Sequence, residues 1–90
     1  MISEAIGDRV PTVLRWRAFR YYFYSHEPNE PPHVHVDRGS DSAKFWLDPV
    51  GLARNIGFNA VDLNRLQRVV VENRAELLRE WHGYLGSQRR

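Results

Sequence analysis

The stretch Glu30-Pro31-Pro32-His33-Val34-His35-Val36 (residues 30–36) decides the fold of this chain. Its two prolines favour an extended approach, because each locks its own φ and moves the preceding residue out of the helical region. The residues that follow alternate polar and apolar, which is the two-residue period of a strand that buries one face. We therefore expect a strand whose histidines project to one side and whose valines project into a core.

A hairpin follows from this strand. One strand is expected from Val34 to Arg38 and the next from Ala43 to Asp48, with residues 39–42 (Gly-Ser-Asp-Ser) as the turn. A four-residue turn predicts a register that separates apolar pairs from polar ones. The apolar pairs are then Val34 with Leu47 and Val36 with Phe45, and the polar pairs are His33 with Asp48, His35 with Trp46 and Asp37 with Lys44.

An earlier hairpin is expected before the proline-rich segment. Residues 12–16 and residues 19–25 both have strand-like sequences. The largest apolar residues of the first segment are at even positions, and the phenylalanines of the second are at odd positions. Because one strand cannot change its buried face without a bulge or turn, we place a tight turn near Arg17-Ala18. Residues 26–32 are expected to form an irregular loop.

The C-terminal part of the chain has a helical period. Asn59 is suited to cap a helix start, and Asp62 lies in the first turn, where the helix dipole favours a carboxylate. The segment Asn73-Arg74-Ala75-Glu76 resembles a second capping box, so the helix is expected to break or kink there. The apolar stripe consists of Leu63, Leu66, Val70, Leu77, Trp81 and Leu85.

These patterns predict an α+β fold: a small antiparallel sheet of two β-hairpins, packed on one face by a C-terminal helix or helix pair. Ninety residues are enough for one domain with a single core. Within 1–90, we expect a loose leader at 1–10, the sheet at 11–48, a connector at 49–58 and the helical region at 59–85.

The composition narrows the class of protein. The chain has no cysteine, which excludes disulfides and thiolate metal sites, and it has no apolar run long enough to span a membrane. A cytoplasmic protein is the expectation. Lys44 is the only lysine among thirteen cationic residues. A GC-rich genome would produce this preference for arginine over lysine without a functional reason. A need for arginines that bind phosphate or carboxylate in forked geometry would produce it as well.

The same residues resemble the domain of unknown function 4160 family of small bacterial proteins. The resemblance spans residues 11–85 and is carried by Phe23-Tyr24-Ser25, residues 30–36, Gly39, residues 43–50, Leu52-Ala53-Arg54-Asn55, Gly57-Phe58, Asn64-Arg65, Glu72-Asn73, Leu77-Leu78 and Trp81. It implies a small partner protein encoded by an adjacent gene, in an arrangement similar to a toxin–antitoxin pair. It implies no established catalytic mechanism.

One hypothesis for the histidine face is catalysis on a phosphate. His33 would be the general acid or base, oriented by Asp48 across the ladder, with His35 on the same face. Tyr24 and Arg54 would stabilise the developing charge. Other candidates for that last role are Tyr22, Arg20 and Arg38. Small metal-independent RNA-cleaving toxins need residue types of this kind.

Two alternatives remain open. A small divalent-metal-binding module would use His33 and His35, with Asp48, His26 or Glu27 as further ligands. A non-catalytic interaction domain would use the aromatic and histidine surface to dock a partner protein. The interpretation that combines residues and resemblance is one component of a toxin–antitoxin-like pair, which acts through its histidine-bearing sheet face on RNA or on a partner protein.

Overall fold

The computed structural model describes residues 12–24 and 29–88, so the predicted leader at 1–10 lies outside the described residues. The described part forms one antiparallel sheet, in which each strand pairs with the next in the chain, and two helices that contact it. This confirms the predicted α+β fold. The elements are β1 (Thr12–Trp16), β2 (Phe19–Tyr22), β3 (His33–Arg38), β4 (Asp41–Leu47), β5 (Val50–Ile56), α1 (Ala60–Glu72) and α2 (Arg74–Gln88).

The first hairpin is confirmed at its predicted turn. Strands β1 and β2 pair in antiparallel fashion with Trp16 opposite Phe19. Arg17 has a positive φ of 57°, which is the conformation of a tight two-residue hairpin turn. Strand β2 ends at Tyr22, earlier than the predicted end at residue 25, which itself lies outside the described residues.

The predicted register of the second hairpin is wrong by two residues. Arg38 pairs with Asp41, so the turn contains only Gly39 and Ser40, and Gly39 adopts a φ of 59°. Glycine reaches that left-handed conformation without steric cost, which favours the two-residue turn over the four-residue one. A shift of two leaves the faces unchanged but replaces every partner: His33 pairs with Trp46, and His35 pairs with Lys44.

The segment predicted as a connector, 49–58, contains a fifth strand. Strand β5 pairs along β4, from Val50 opposite Leu47 to Ile56 opposite Ser42. The register shifts between Lys44 and Phe45, which is the mark of a β-bulge. A bulge interrupts the alternation of faces, so the sequence of β5 lacks the period by which a strand is recognised.

The helix pair is confirmed, with the break at Asn73. The side-chain oxygen of Asn59 accepts a hydrogen bond from the backbone N–H of Asp62 at 2.8 Å, as the N-cap prediction requires. Asn73 ends α1 instead of capping α2 with its side chain, since its amide donates to the Val69 carbonyl at 2.8 Å.

The core lies between the sheet and the helices. It includes the predicted buried valines of β3 and their apolar partners in β4, together with aromatic residues of β2. Its buried apolar residues are Phe19, Tyr21, Phe23, Val34, Val36, Ala43, Phe45, Leu47, Phe58, Leu66, Val69, Val70, Leu77 and Trp81. Neither helix in the described part of the chain is long and apolar enough to cross a membrane.

Candidate functional site

The sheet face opposite the helices carries aromatic and charged side chains in adjacent positions. Cross-strand partners share a face, and alternate residues along a strand do too, so the pairing assigns these side chains to one surface. We call this surface the open face. Its side chains include Arg15, Arg20, Tyr22, Tyr24, His33, His35, Asp37, Lys44, Trp46 and Arg54.

His33 connects the open face to the core. Its side chain is fully buried, and its ring lies 4.7 Å from the Trp81 ring of α2 and 5.8 Å from the Trp46 ring of β4, measured between centroids. The ring atom Nδ1 lies 2.8 Å from the Pro31 carbonyl oxygen. Because a carbonyl only accepts, Nδ1 carries a proton and donates it, which fixes the ring orientation and its tautomer.

His35 is the centre of a cluster of rings on the open face. Its ring stacks on Tyr22, with centroids 5.3 Å apart and planes at 17°. Tyr24 meets the same imidazole edge-on at 5.9 Å, and His33 does so at 5.2 Å. Tyr24 is 39% exposed whereas His35 is 6% exposed, so Tyr24 presents this cluster to solvent.

Lys44 is the cation at the middle of the open face. Its side chain is nearly buried, with 8% of the residue exposed, and its ammonium lies 5.1 Å from the Trp46 ring centroid. The Glu30 carboxylate accepts a hydrogen bond from this ammonium and forms an ion pair with it. The same carboxylate oxygen lies 3.7 Å from Nδ1 of His33.

Arginines border the rings. The Arg20 guanidinium lies 4.7 Å from the Tyr22 ring centroid, and the Tyr22 hydroxyl donates to the Asp37 carboxylate at 3.0 Å. Arg54 is exposed and pairs across the ladder with Lys44. Cations therefore lie at both sides of the aromatic cluster.

Asp48 is not where the predicted register placed it. It follows β4, and its carboxylate accepts a hydrogen bond from the Arg74 guanidinium at 2.6 Å. Arg74 also donates to the Leu47 carbonyl at 2.9 Å, which ties α2 to the end of β4. The predicted orientation of His33 by Asp48 is therefore wrong, and the Pro31 carbonyl holds that ring instead.

Of the five predicted site residues, the structure brings three into one cluster and leaves two outside it. The rings of His33, His35 and Tyr24 are in contact. Arg54 lies on the same face in β5, opposite Lys44 of β4. Asp48 belongs to a structural contact with α2. The prediction missed Glu30, although its position directly before the two prolines of the motif could have drawn attention to it.

The metal hypothesis gains no ligand set from the described residues. His33 and His35 approach each other with rings at 84°, but residues 12–24 and 29–88 hold no group of three or more His, Cys, Asp or Glu side chains able to bind a metal. His26 and Glu27, the further ligands named from the sequence, lie outside the described residues.

A cavity of about 580 Å³ lies away from the open face. It is an open groove between the start of the sheet and α2, and none of the five predicted site residues lines it. Its lining residues are Thr12, Val13, Phe23, Arg79, Glu80, Gly83 and Tyr84.

Comparison with known proteins places the chain in a family. A family model described as "Domain of unknown function (DUF4160)" matches residues 18–82, a span that begins before β2 and ends within α2. No curated protein and no solved structure matches the chain. The match covers more than half of the chain and includes all the strands from which the histidine cluster is built, so this protein belongs to the DUF4160 family.

Proposed function

We propose that the open face binds single-stranded RNA, and that the protein acts in this way as one component of a toxin–antitoxin-like pair. The observation that carries the proposal is the contact between rings and cations: Lys44 lies over Trp46, and Arg20 lies over Tyr22, on one face of the sheet. Proteins that bind single-stranded nucleic acids combine aromatic stacking platforms with a positively charged surface in this way.

The rings supply the surface on which unpaired bases stack. Tyr24 is exposed and Trp46 is partly exposed, and both contact a histidine of β3. Stacking on an aromatic side chain tolerates every base, since each base has a π face. The face therefore suits unpaired nucleotides whose bases are accessible rather than a duplex.

The charge on the open face favours an anionic ligand over a neutral one. Its described cations, Arg15, Arg20, Lys44 and Arg54, outnumber the acidic groups there, Asp37 and the adjoining Glu30. Arginine also presents a planar fork of donors that matches two phosphate oxygens. This excess of positive charge favours RNA over a partner protein as the ligand.

Binding fits the geometry better than cleavage. A general base needs access to its substrate, and His33 is fully buried with Nδ1 committed to the Pro31 carbonyl. The carboxylate predicted to orient it is held by Arg74. We therefore assign the histidines a role in holding the rings Tyr22, Tyr24 and Trp46 in place.

The experiment is titration of a labelled single-stranded oligoribonucleotide with the full chain, read by fluorescence anisotropy. Loss of one stacking ring costs about 1–3 kcal/mol, so Tyr24→Ala should weaken binding by roughly five- to 150-fold. Val71→Ala, which removes an exposed apolar side chain from α1, is the matched control and should leave the affinity unchanged.

A chain that binds no RNA but binds the protein encoded by its neighbouring gene would replace this proposal with partner docking. The paired arrangement is tested in a bacterial host by expressing each gene alone and both together. We expect one of the two to slow growth and the other to relieve the effect. For an RNA-binding protein of this kind, we expect the activity to be in the cytoplasm.

A further inference from the structure

Glu30 places a carboxylate at the position on the open face where a phosphate would meet its most enclosed cation. The Lys44 ammonium is nearly buried, whereas the Glu30 side chain is 41% exposed. A carboxylate and a phosphate share negative charge and acceptor oxygens, so each satisfies an ammonium in the same way. The ion pair therefore marks an anion site that the protein fills with its own side chain.

We propose that Lys44 is a phosphate-binding residue of the open face, and that the Glu30 carboxylate occupies the phosphate position until RNA displaces it. This inference rests on the proposed function and adds to it a named phosphate contact and a competitor for that contact. The ligand class is the phosphodiester backbone of single-stranded RNA.

The surroundings of Lys44 place the phosphate next to a stacked base. The ammonium lies 5.1 Å from the Trp46 ring centroid, and His35 is the cross-strand partner of Lys44. A base stacked on Trp46 would therefore carry its own phosphate towards the ammonium. Lys44 is also fixed in place, since β4 pairs with strands on both of its sides.

Glu30 is positioned to be displaced. It belongs to the loop that precedes β3 rather than to the sheet, and its side chain is partly exposed to solvent. Its distance of 3.7 Å from Nδ1 of His33 exceeds that of a hydrogen bond, and that nitrogen already donates to the Pro31 carbonyl. Movement of Glu30 therefore leaves the orientation of His33 intact.

The test compares Glu30→Gln with the unmodified chain in the RNA titration, repeated over a range of salt concentrations. Removal of the competing charge should tighten binding by about tenfold, the effect of one charge-assisted hydrogen bond. The slope of log K against log salt should steepen by about 0.7, because one additional phosphate is then neutralised without displacement of the Glu30 carboxylate.

Glu72→Gln is the matched control, since it removes the same charge from an exposed position at the end of α1, away from the open face. It should leave the slope unchanged. The double variant Glu30→Gln, Lys44→Gln removes both charges of the ion pair, and it should lose the tenfold gain. Circular dichroism melts verify that each variant is folded.

The outcomes separate this inference from the function on which it rests. Tighter binding and a steeper slope for Glu30→Gln alone support both. RNA binding that depends on Tyr24 but is equal in Glu30→Gln and Glu72→Gln overturns the inference and leaves the function standing. Absence of RNA binding in the unmodified chain and in Glu30→Gln overturns both.

Discussion

Tyr21 contributes to the fold in two ways, through its apolar ring and through its polar hydroxyl. Its ring is buried in the core, and its hydroxyl donates to the Leu66 carbonyl of α1 at 3.1 Å. That hydrogen bond joins the sheet to the helix layer. The two-residue period of the strand predicts the face on which Tyr21 lies. Burial raises the pKa of the Tyr21 hydroxyl above its ordinary value.

The raised pKa of Tyr21 predicts a loss of stability in alkali. The folded chain keeps the phenol proton while the unfolded chain releases it near pH 10, so this contribution is complete below pH 10 and falls as the pH rises further. Above pH 10, the unmodified chain should lose stability more steeply than Tyr21→Phe, by up to about 1.4 kcal/mol per pH unit. Parallel urea-unfolding curves for the two chains across that range would contradict it.

Phe45 tests the buried face of the sheet at the same scale. It is fully enclosed and pairs with Val34 on one side and Leu52 on the other. Phe45→Ala should lower the free energy of unfolding by about 3–5 kcal/mol, the usual range for a core aromatic. Leu52→Ala, at the exposed neighbour in β5, should cost less than half as much by urea denaturation.

At the scale of elements, the helix caps and the break between α1 and α2 determine how the helices contact the sheet. Asn59 starts α1, and Asn73 ends it by bonding to Val69 with both its backbone and its side chain. Arg74 then joins α2 to the end of β4. The sequence predicted the helix break but not this contact, because Arg74 and Asp48 are distant in sequence and only the packing of α2 brings them together.

The N-cap of α1 gives an element-scale prediction. Asn59→Ala removes the acceptor for the Asp62 N–H and should lower the free energy of unfolding by about 1 kcal/mol. The control is Asn64→Ala in the exposed part of α1, where alanine is the better helix former and stability should be unchanged or slightly higher. An equal effect of the two variants in thermal melts would argue against the cap.

At the scale of the whole molecule, the two layers separate a packing surface from the proposed binding surface. The helices cover one side of the sheet, where Arg38 lies over the Phe19 and Phe58 rings and pairs with Asp62. On the other side, cations lie beside partly exposed rings. The position of an arginine in these layers, not the net charge of +2, decides its role.

That separation predicts different effects for two equal charge changes. Arg54→Gln on the open face should weaken RNA binding and reduce the salt slope by about 0.7, because one phosphate contact is lost. Arg68→Gln on the exposed side of α1 removes the same charge and should change neither. Equal losses of affinity in anisotropy titrations would show that binding follows overall charge instead of the open face.

The sequence by itself determined which residues face the core and which face outwards. The alternation around Val34, the helical period from Asn59 onwards and the capping-box pattern at Asn73 are local properties, and both faces and the helix break follow from them. A register shift of two residues keeps each side chain on the same face of the sheet. The predicted faces are therefore correct although the predicted cross-strand partners are wrong.

Only the tertiary structure decided which of those outward residues meet. The two-residue turn at Gly39 moved Asp48 away from His33, and the loop before β3 brought Glu30 to Lys44. Strand β5 likewise forms because β4 offers a free edge, while a bulge hides its period. Contacts of this kind depend on register and on loops that fold back across a sheet, and neither property can be read from residue spacing within a single segment.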